Sequence, residues 1–169
     1  RILTADVLLQ ITSDLTIESG TVSLNAFAAP YTVTIKPDGA PRLVSYGGAN
    51  SLIVLNGADR VIIDGSLSNT ANTLCPLVQA SRDLTFKNTA ASASVINLRS
   101  QPTNPATNNV IKNCNIEGNA TSTIIFGIAS TDQTVTISSL GKDNDNNSFV
   151  NNSISKVQYG IYSQGESRS

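Results

Sequence analysis

Apolar and polar residues alternate over short stretches through most of the chain. The alternation is clear at residues 31–35 and again at residues 61–63. A period of two places successive side chains on opposite faces of a β-strand, so each stretch is typical of a strand with one buried face. Pairs such as Asn-Asn, Asp-Gly and Gly-Gly stand between the stretches, and these residues tolerate the left-handed backbone angles of sharp turns. No helical spacing of apolar residues competes, and the pattern therefore predicts an all-β chain.

A three-residue motif recurs along the chain: an apolar residue, a variable residue, and then Gly or Asn. It stands at residues 63–65, 86–88, 111–113 and 149–151. The steps between its copies are 86 − 63 = 23, 111 − 86 = 25 and 149 − 111 = 38 residues. Self-similarity at such a period is the signature of a solenoid. We therefore predict coils of about 20 to 25 residues, with one inserted loop near residues 131–145 that accounts for the longest step.

A second motif shows how the coils are built. It recurs at residues 96–100, 126–130 and 159–163. Two strands per coil are thereby visible, and because one coil cannot close a core alone, neighbouring coils are expected to pair as parallel strands. In this register Asn88, Asn113 and Asn151 form a ladder at one corner, with Gly65 at its end. The repeats thus predict a parallel β-helix with a single domain over residues 1–169.

Four segments resemble a known family. Residues 32–37 and 55–65 resemble large secreted and surface β-helix proteins of Bacteroidetes-type bacteria, and residues 109–116 and 147–163 look like the right-handed, pectate-lyase-like coils of the same family. The resemblance implies a right-handed parallel β-helix that is secreted or held at the cell surface. Members of this family often carry a C-terminal sorting domain, which is not recognisable here, and we therefore expect a fragment of a longer chain.

Composition narrows the range of partners. The 11 Lys and Arg residues nearly balance the 12 Asp and Glu residues, which argues against nucleic acid as a partner. No apolar run reaches the length of about 18 residues that a membrane-spanning helix requires, and the absence of a leader implies a mature or trimmed form. Cys75 and Cys114 are too few for a disulfide framework, and either two free thiols or one bridge fits the sequence.

Catalysis has candidate residues, because many right-handed β-helices cleave acidic polysaccharides. The charged residues in the strand region of interest are Asp59, Arg60, Asp64, Arg82, Asp83 and Lys87. A hydrolase needs two carboxyl groups about 5 to 9.5 Å apart, and a lyase needs a base such as Lys or Arg beside an acidic calcium site. The chain has no His and lacks the paired Asp residues and the Gly-His-Gly element of the resembling hydrolases. Ordinary solvated charges on a sheet face are the interpretation that we favour.

A calcium site is a second candidate. Asp143, Asp145 and Asn147 have the spacing that opens a calcium-binding loop, in which alternate oxygens point at a hard cation. The rest of the EF-hand pattern fails, because Ser148 replaces the required Gly and Ile154 replaces the bidentate Glu. A looser calcium loop and a solvated turn both fit these residues.

Aromatic side chains offer one candidate ligand contact. The chain has four Tyr, four Phe and no Trp, which argues against a dedicated platform for stacking sugars. In a regular strand Tyr159 and Tyr162 face opposite sides, and Tyr162 is the better candidate for an exposed contact.

The ends of the predicted solenoid point to assembly. Uncapped parallel strands leave backbone groups that invite pairing with another chain, and head-to-tail stacking produces filaments. We expect an extracellular structural, adhesive or self-assembling module without catalytic activity, whose partner is another copy of itself. The alternative is a domain that binds or cleaves extracellular polysaccharide. No cofactor is implied except calcium.

Overall fold

The computed structural model describes residues 3–67, 80–121 and 126–166. These residues contain β-strands and no helix, as the alternating pattern predicts. In chain order the strands are β1 Val7–Ile11, β2 Leu24–Asn25, β3 Val33–Pro37, β4 Arg42–Tyr46, β5 Ile53–Asn56, β6 Val61–Asp64, β7 Leu84–Asn88, β8 Ser94–Arg99, β9 Val110–Lys112, β10 Cys114–Glu117, β11 Phe126–Thr131, β12 Ser148–Val150, β13 Ser153–Ser155 and β14 Tyr159–Ser163.

The strands form three sheets in which every pair is parallel. Sheet A has the order β1-β3-β6-β9-β12, sheet B has β4-β7-β10-β13, and sheet C has β2-β5-β8-β11-β14. The chain visits the sheets in the order A, B, C each time, and a bridge between Leu15 and Val44 fills the sheet B position of the first passage. One passage through the three sheets is called a repeat below. The first repeat runs from β1 to β2, and the last from β12 to β14.

Apolar side chains stack in register from repeat to repeat and form three apolar ladders. The ladders are Leu9, Ile35, Ile63, Ile111 and Phe149 in sheet A, Leu15, Val44, Phe86, Ile116 and Ile154 in sheet B, and Ile53, Ile96, Ile128 and Ile161 in sheet C. The members from the third and fourth repeats are essentially inaccessible to solvent. Burying each such side chain contributes about 1.5 to 3 kcal/mol, so the core lies along the axis of the ladders.

The predicted coil length of 20 to 25 residues is wrong. Ile63 and Phe86 lie in different sheets of one repeat, β6 and β7, and are not stacked on each other. The residues that do pair are separated by 63 − 35 = 28 residues from Ile35 to Ile63 and by 111 − 63 = 48 residues from Ile63 to Ile111. Sheets A and B both end in an inward apolar residue followed by a turn residue, so the same motif marks two corners. Each repeat accordingly has three strands rather than two.

The predicted insertion near residues 131–145 coincides with a long connection. Residues 132–147 link β11 to β12, whereas residues 57–60 make the equivalent link between β5 and β6. The connection is tied to the last repeat, because the backbone N–H of Gly141 donates to the carbonyl of Gln164 at 2.7 Å. The longest step in the motif thus reflects this loop.

The predicted asparagine ladder exists in part. Asn151 Nδ2 donates to Asn113 Oδ1 at 2.8 Å, and Asn113 Nδ2 donates to Asp64 Oδ1 at 2.8 Å, where β6, β9 and β12 turn toward sheet B. Gly65 lies against the backbone of Asn113, as predicted. Asn88 does not belong to this ladder: it ends β7 in sheet B, and its Nδ2 donates to two backbone carbonyls there. Its misplacement has the same origin as the wrong coil length.

Candidate functional site

Asp59 and Arg60 lie in the tight turn between β5 and β6. Asp59 Oδ1 accepts hydrogen bonds from the backbone N–H of Thr107 at 2.7 Å and from its hydroxyl at 2.8 Å. Arg60 donates to the carbonyls of Tyr31 and Phe27, each at 3.1 Å. The two charged side chains therefore hold the turn to connections of the neighbouring repeats.

Asp83 and Lys87 lie at the start and in the middle of the sheet B segment, apart from that turn in the chain's path. Asp83 accepts a hydrogen bond from the backbone N–H of Leu67 at 3.0 Å and another from the hydroxyl of Ser81. Lys87 forms an ion pair with Glu117 at 3.3 Å. These partners are different from those of Asp59 and Arg60, so the structure gives the four candidate catalytic residues separate structural roles. Catalysis by them stays a prediction.

Two ion pairs run across neighbouring strands and lower carboxyl pKa values. Burial by itself raises the pKa of Asp64, but hydrogen bonds from Asn113 and Ser66 and the charge of Lys112 outweigh it, so the pKa is lowered. The hydrogen bond from Lys156 lowers the pKa of Glu117, burial opposes that effect, and Lys87 adds to the lowering. Both carboxylates are therefore stabilised in the charged form, which suits a structural role better than that of a proton donor near neutral pH.

The remaining predicted chemistry includes one cysteine within the described residues. Cys114 is a free, buried thiol, and burial raises its pKa to about 12. Such a thiol carries almost no thiolate near neutral pH and is a poor nucleophile. Cys75, and with it the question of a bridge, lies outside the described residues.

The candidate calcium ligands lie in the loop before β12. Asn147 Oδ1 accepts a hydrogen bond from the backbone N–H of Asn109 at 2.9 Å, and its Nδ2 donates to the carbonyl of Ala106 at 2.8 Å. Asp143 has a left-handed backbone with φ of 52°, and the N–H of Asp145 donates to the Asp143 carbonyl at 2.8 Å. In the parts of the chain that the structure describes, no group of three or more His, Cys, Asp or Glu side chains is placed to hold a metal. Calcium binding stays a prediction.

Tyr162 packs against the long loop. Its side chain is half-buried, and its hydroxyl donates to the carbonyl of Ile137 at 2.8 Å. Its ring lies 5.2 Å from the ring of the buried Phe126. The structure gives Tyr162 a role in fixing residues 132–147, and contact with a ligand stays a prediction.

Each apolar ladder ends in side chains that solvent reaches. In the first repeat the exposed fractions are 46% for Leu9, 42% for Leu15 and 85% for Val22. These three residues line an apolar groove with a volume of about 390 Å³. In the last repeat Ile161 is 52% exposed. Both ends of the ladders are therefore apolar surfaces without a covering layer among the described residues.

A polar pocket lies on the outer face of sheet C, opposite the apolar ladder. Segments within residues 20–23, 49–54, 92–99 and 133–135 line a cavity of about 430 Å³. Arg99, at the end of β8, is the charged residue among its lining. This cavity is called the sheet C pocket below.

The sequence analysis missed the sheet C pocket. It identified residues 96–100 only as a strand motif, because alternation distinguishes the two faces of a strand but not what covers each face. The one available signal was Arg99 itself, whose paired neighbours are the uncharged Asn56 and Thr131. Four segments distant in sequence form the walls, and their convergence follows from the register of the sheets.

Two general findings complete the description of the sites. Within the described ranges, no helix has the length and apolar character needed to cross a membrane. Comparison of the chain with protein-family models, with curated proteins and with solved structures found no match.

Proposed function

We propose that the chain is a right-handed parallel β-helix that serves as a secreted or surface-displayed structural and adhesive module, assembles end to end with further copies of itself, and has no catalytic activity. The three all-parallel sheets, visited in one constant order, support the β-helix. The observation that carries the assembly is that each ladder ends in an accessible apolar side chain.

The two ends are chemically matched to each other. In sheet A the ladder runs from Leu9 in the first repeat to Phe149 in the last, and in sheet B it runs from Leu15 to Ile154. A second copy placed after the last repeat would continue both ladders, with its leucines on this copy's Phe149 and Ile154. Such a head-to-tail contact uses two different surfaces and therefore does not close after two copies, so it leads to filaments.

The edge strands lack the features that prevent such pairing. Proteins usually protect an exposed edge with Lys, other charged residues or Pro. The edge strands β1, β12, β13 and β14 contain no charged residue and no Pro. Their free backbone N–H and C=O groups are therefore available to pair with another parallel strand.

The polysaccharide-cleaving alternative has less support. Asp59 and Arg60 hold a turn, while Asp83 and Lys87 have separate partners in and beside sheet B. Hydrolysis and elimination both need groups that converge on one bond. Adhesion through the sheet faces is compatible with end-to-end assembly, since stacking leaves those faces exposed.

Light scattering after size-exclusion chromatography, together with electron microscopy, tests the assembly. The expected result is a mass that increases with concentration and filaments of constant width. Ile161→Lys places a charge on one end and is expected to reduce assembly strongly. Ile137→Lys is the matched control, because Ile137 is 57% exposed but lies in the loop outside the sheets. A wild-type chain that stays monomeric at every concentration would overturn the proposal.

A further inference from the structure

The outer face of sheet C is covered, although it is not part of the central core. Val54, Asn97 and Ala129 occupy one row across β5, β8 and β11 and are buried on the side opposite Ile96. Arg99 lies two residues after Asn97, on the same face of β8. The loops that cover this face leave the sheet C pocket between them.

Arg99 differs from every other arginine in the described residues. Arg42, Arg60 and Arg82 each donate a hydrogen bond to a carbonyl or amide oxygen. The guanidinium of Arg99 has no hydrogen bond or ion pair within that part of the chain, and its Nε is buried. A buried donor on a charged group without a partner is unfavourable, so a protein rarely keeps one unless something binds there.

A second donor without a partner lies beside it. Asn97 is completely buried, and its Oδ1 accepts a hydrogen bond from the hydroxyl of Thr131 at 3.0 Å. Its Nδ2 has no hydrogen-bond partner. The same face of one strand thus carries two unsatisfied nitrogen donors and no acceptor that compensates for them.

The walls of the pocket define the chemistry of an occupant. Hydroxyl, amide and backbone groups dominate the lining, for example at Thr21, Asn50, Ser92 and Gln133. No carboxylate and no aromatic ring is among the described lining residues, so the positive charge of Arg99 is not neutralised locally. A volume of about 430 Å³ falls within the usual range for small-molecule sites.

We propose that the sheet C pocket binds the oxyanion group of a small, hydroxyl-rich molecule, with the guanidinium of Arg99 as the principal donor. Arginine donates to carboxylate, sulfate and phosphate groups through two parallel N–H bonds. The hydroxyl and amide groups of the walls match the hydroxyl groups of the ligand. The pocket lies on the flank of the sheets and not at their ends, so this proposal is independent of assembly.

Isothermal titration calorimetry on the full chain tests the proposal and identifies the anion. Glucuronate, glucose 6-sulfate and glucose 6-phosphate present a carboxylate, a sulfate and a phosphate on similar sugars, and glucose is the neutral control. Saturable binding of at least one anionic sugar, with no binding of glucose, is the expected result. If no anionic sugar binds saturably, or if glucose binds equally well, the proposal is overturned.

Two matched variants locate the binding. Arg99→Gln is expected to weaken binding about tenfold to a hundredfold, because hydrogen bonds to a charged group contribute about 1.5 to 3 kcal/mol. Arg82→Gln removes the same charge from an exposed side chain and is expected to leave binding unchanged. If Arg99→Gln does not fold, Arg99→Lys replaces it and is expected to weaken binding by losing the second parallel bond. Equal loss in the Arg82 variant, or no loss in either Arg99 variant, would show that the anion binds elsewhere.

Discussion

Single asparagines at the corner between sheets A and B combine two physical roles. Asn113 and Asn151 have φ values of 57° and 51°, in the left-handed region that most side chains avoid. Their amides also satisfy each other and the carboxylate of Asp64 across three repeats. Asparagine suits the position because it tolerates the backbone angle and offers both a donor and an acceptor.

Asn113→Ala is expected to destabilise the fold by about 2 to 4 kcal/mol, because it removes one hydrogen bond to a charged carboxylate and another to an amide, and strains the backbone. Asn108→Ala is the control: Asn108 has the same φ of 57°, but its exposed side chain bonds only to Thr107. It is expected to lose about 1 kcal/mol. Urea denaturation measures both values, and equal losses would show that the ladder contributes nothing beyond the backbone angle.

Asp64 makes the stability depend on acid. Because its pKa is lowered from the ordinary value of 3.8 in the folded chain, its contribution is complete well above that value and is lost as the pH falls below it. Asp64→Asn keeps an oxygen acceptor for Asn113 but cannot titrate. The free energy of unfolding of the wild type is therefore expected to fall more steeply than that of Asp64→Asn between about pH 4 and pH 2. Parallel curves in that range would contradict the assignment.

At the scale of the strands, the sequence predicts type better than partner. Alternation correctly indicated the strands that contain Val33, Ile63 and Ile96, because burial of one face imposes a period of two. It did not separate Ile63 in sheet A from Phe86 in sheet B, since both precede a sharp corner. The register depends on loops of unequal length, and those lengths carry no pattern of their own.

A pair of equivalent glycines tests the packing between strands of sheet C. Gly127 in β11 and Gly160 in β14 occupy the same place in the second sequence motif. A Cβ atom on Gly127 would lie 2.6 Å from the carbonyl oxygen of Gly160, whereas one on Gly160 would have no atom within 4 Å. Gly127→Ala is expected to cost about 1 to 3 kcal/mol, and Gly160→Ala almost nothing. Thermal and urea unfolding of the two variants check this difference, which similar losses would contradict.

For the whole molecule, the end surfaces and the sheet C pocket differ in how visible they are in the sequence. End-to-end pairing was predicted from the repeats alone, because any uncapped stack of parallel strands has free edges. The pocket was not, because loops from several repeats converge on Arg99 only after the sheets form. Properties that follow from periodicity are therefore readable in advance, whereas properties of the irregular connections need the structure.

Gly160 links the packing of one chain to the assembly of many. Inside the chain, the backbone of the last repeat approaches Gly127 so closely that only glycine fits. If a second copy continues sheet C with the same spacing, its first repeat approaches Gly160 in the same way. Gly160→Ala is therefore expected to leave the unfolding midpoint of the monomer unchanged but to raise the concentration needed for assembly. Light scattering over a dilution series measures that concentration, and an unchanged value would mean that the copies meet without the close approach seen between β11 and β14.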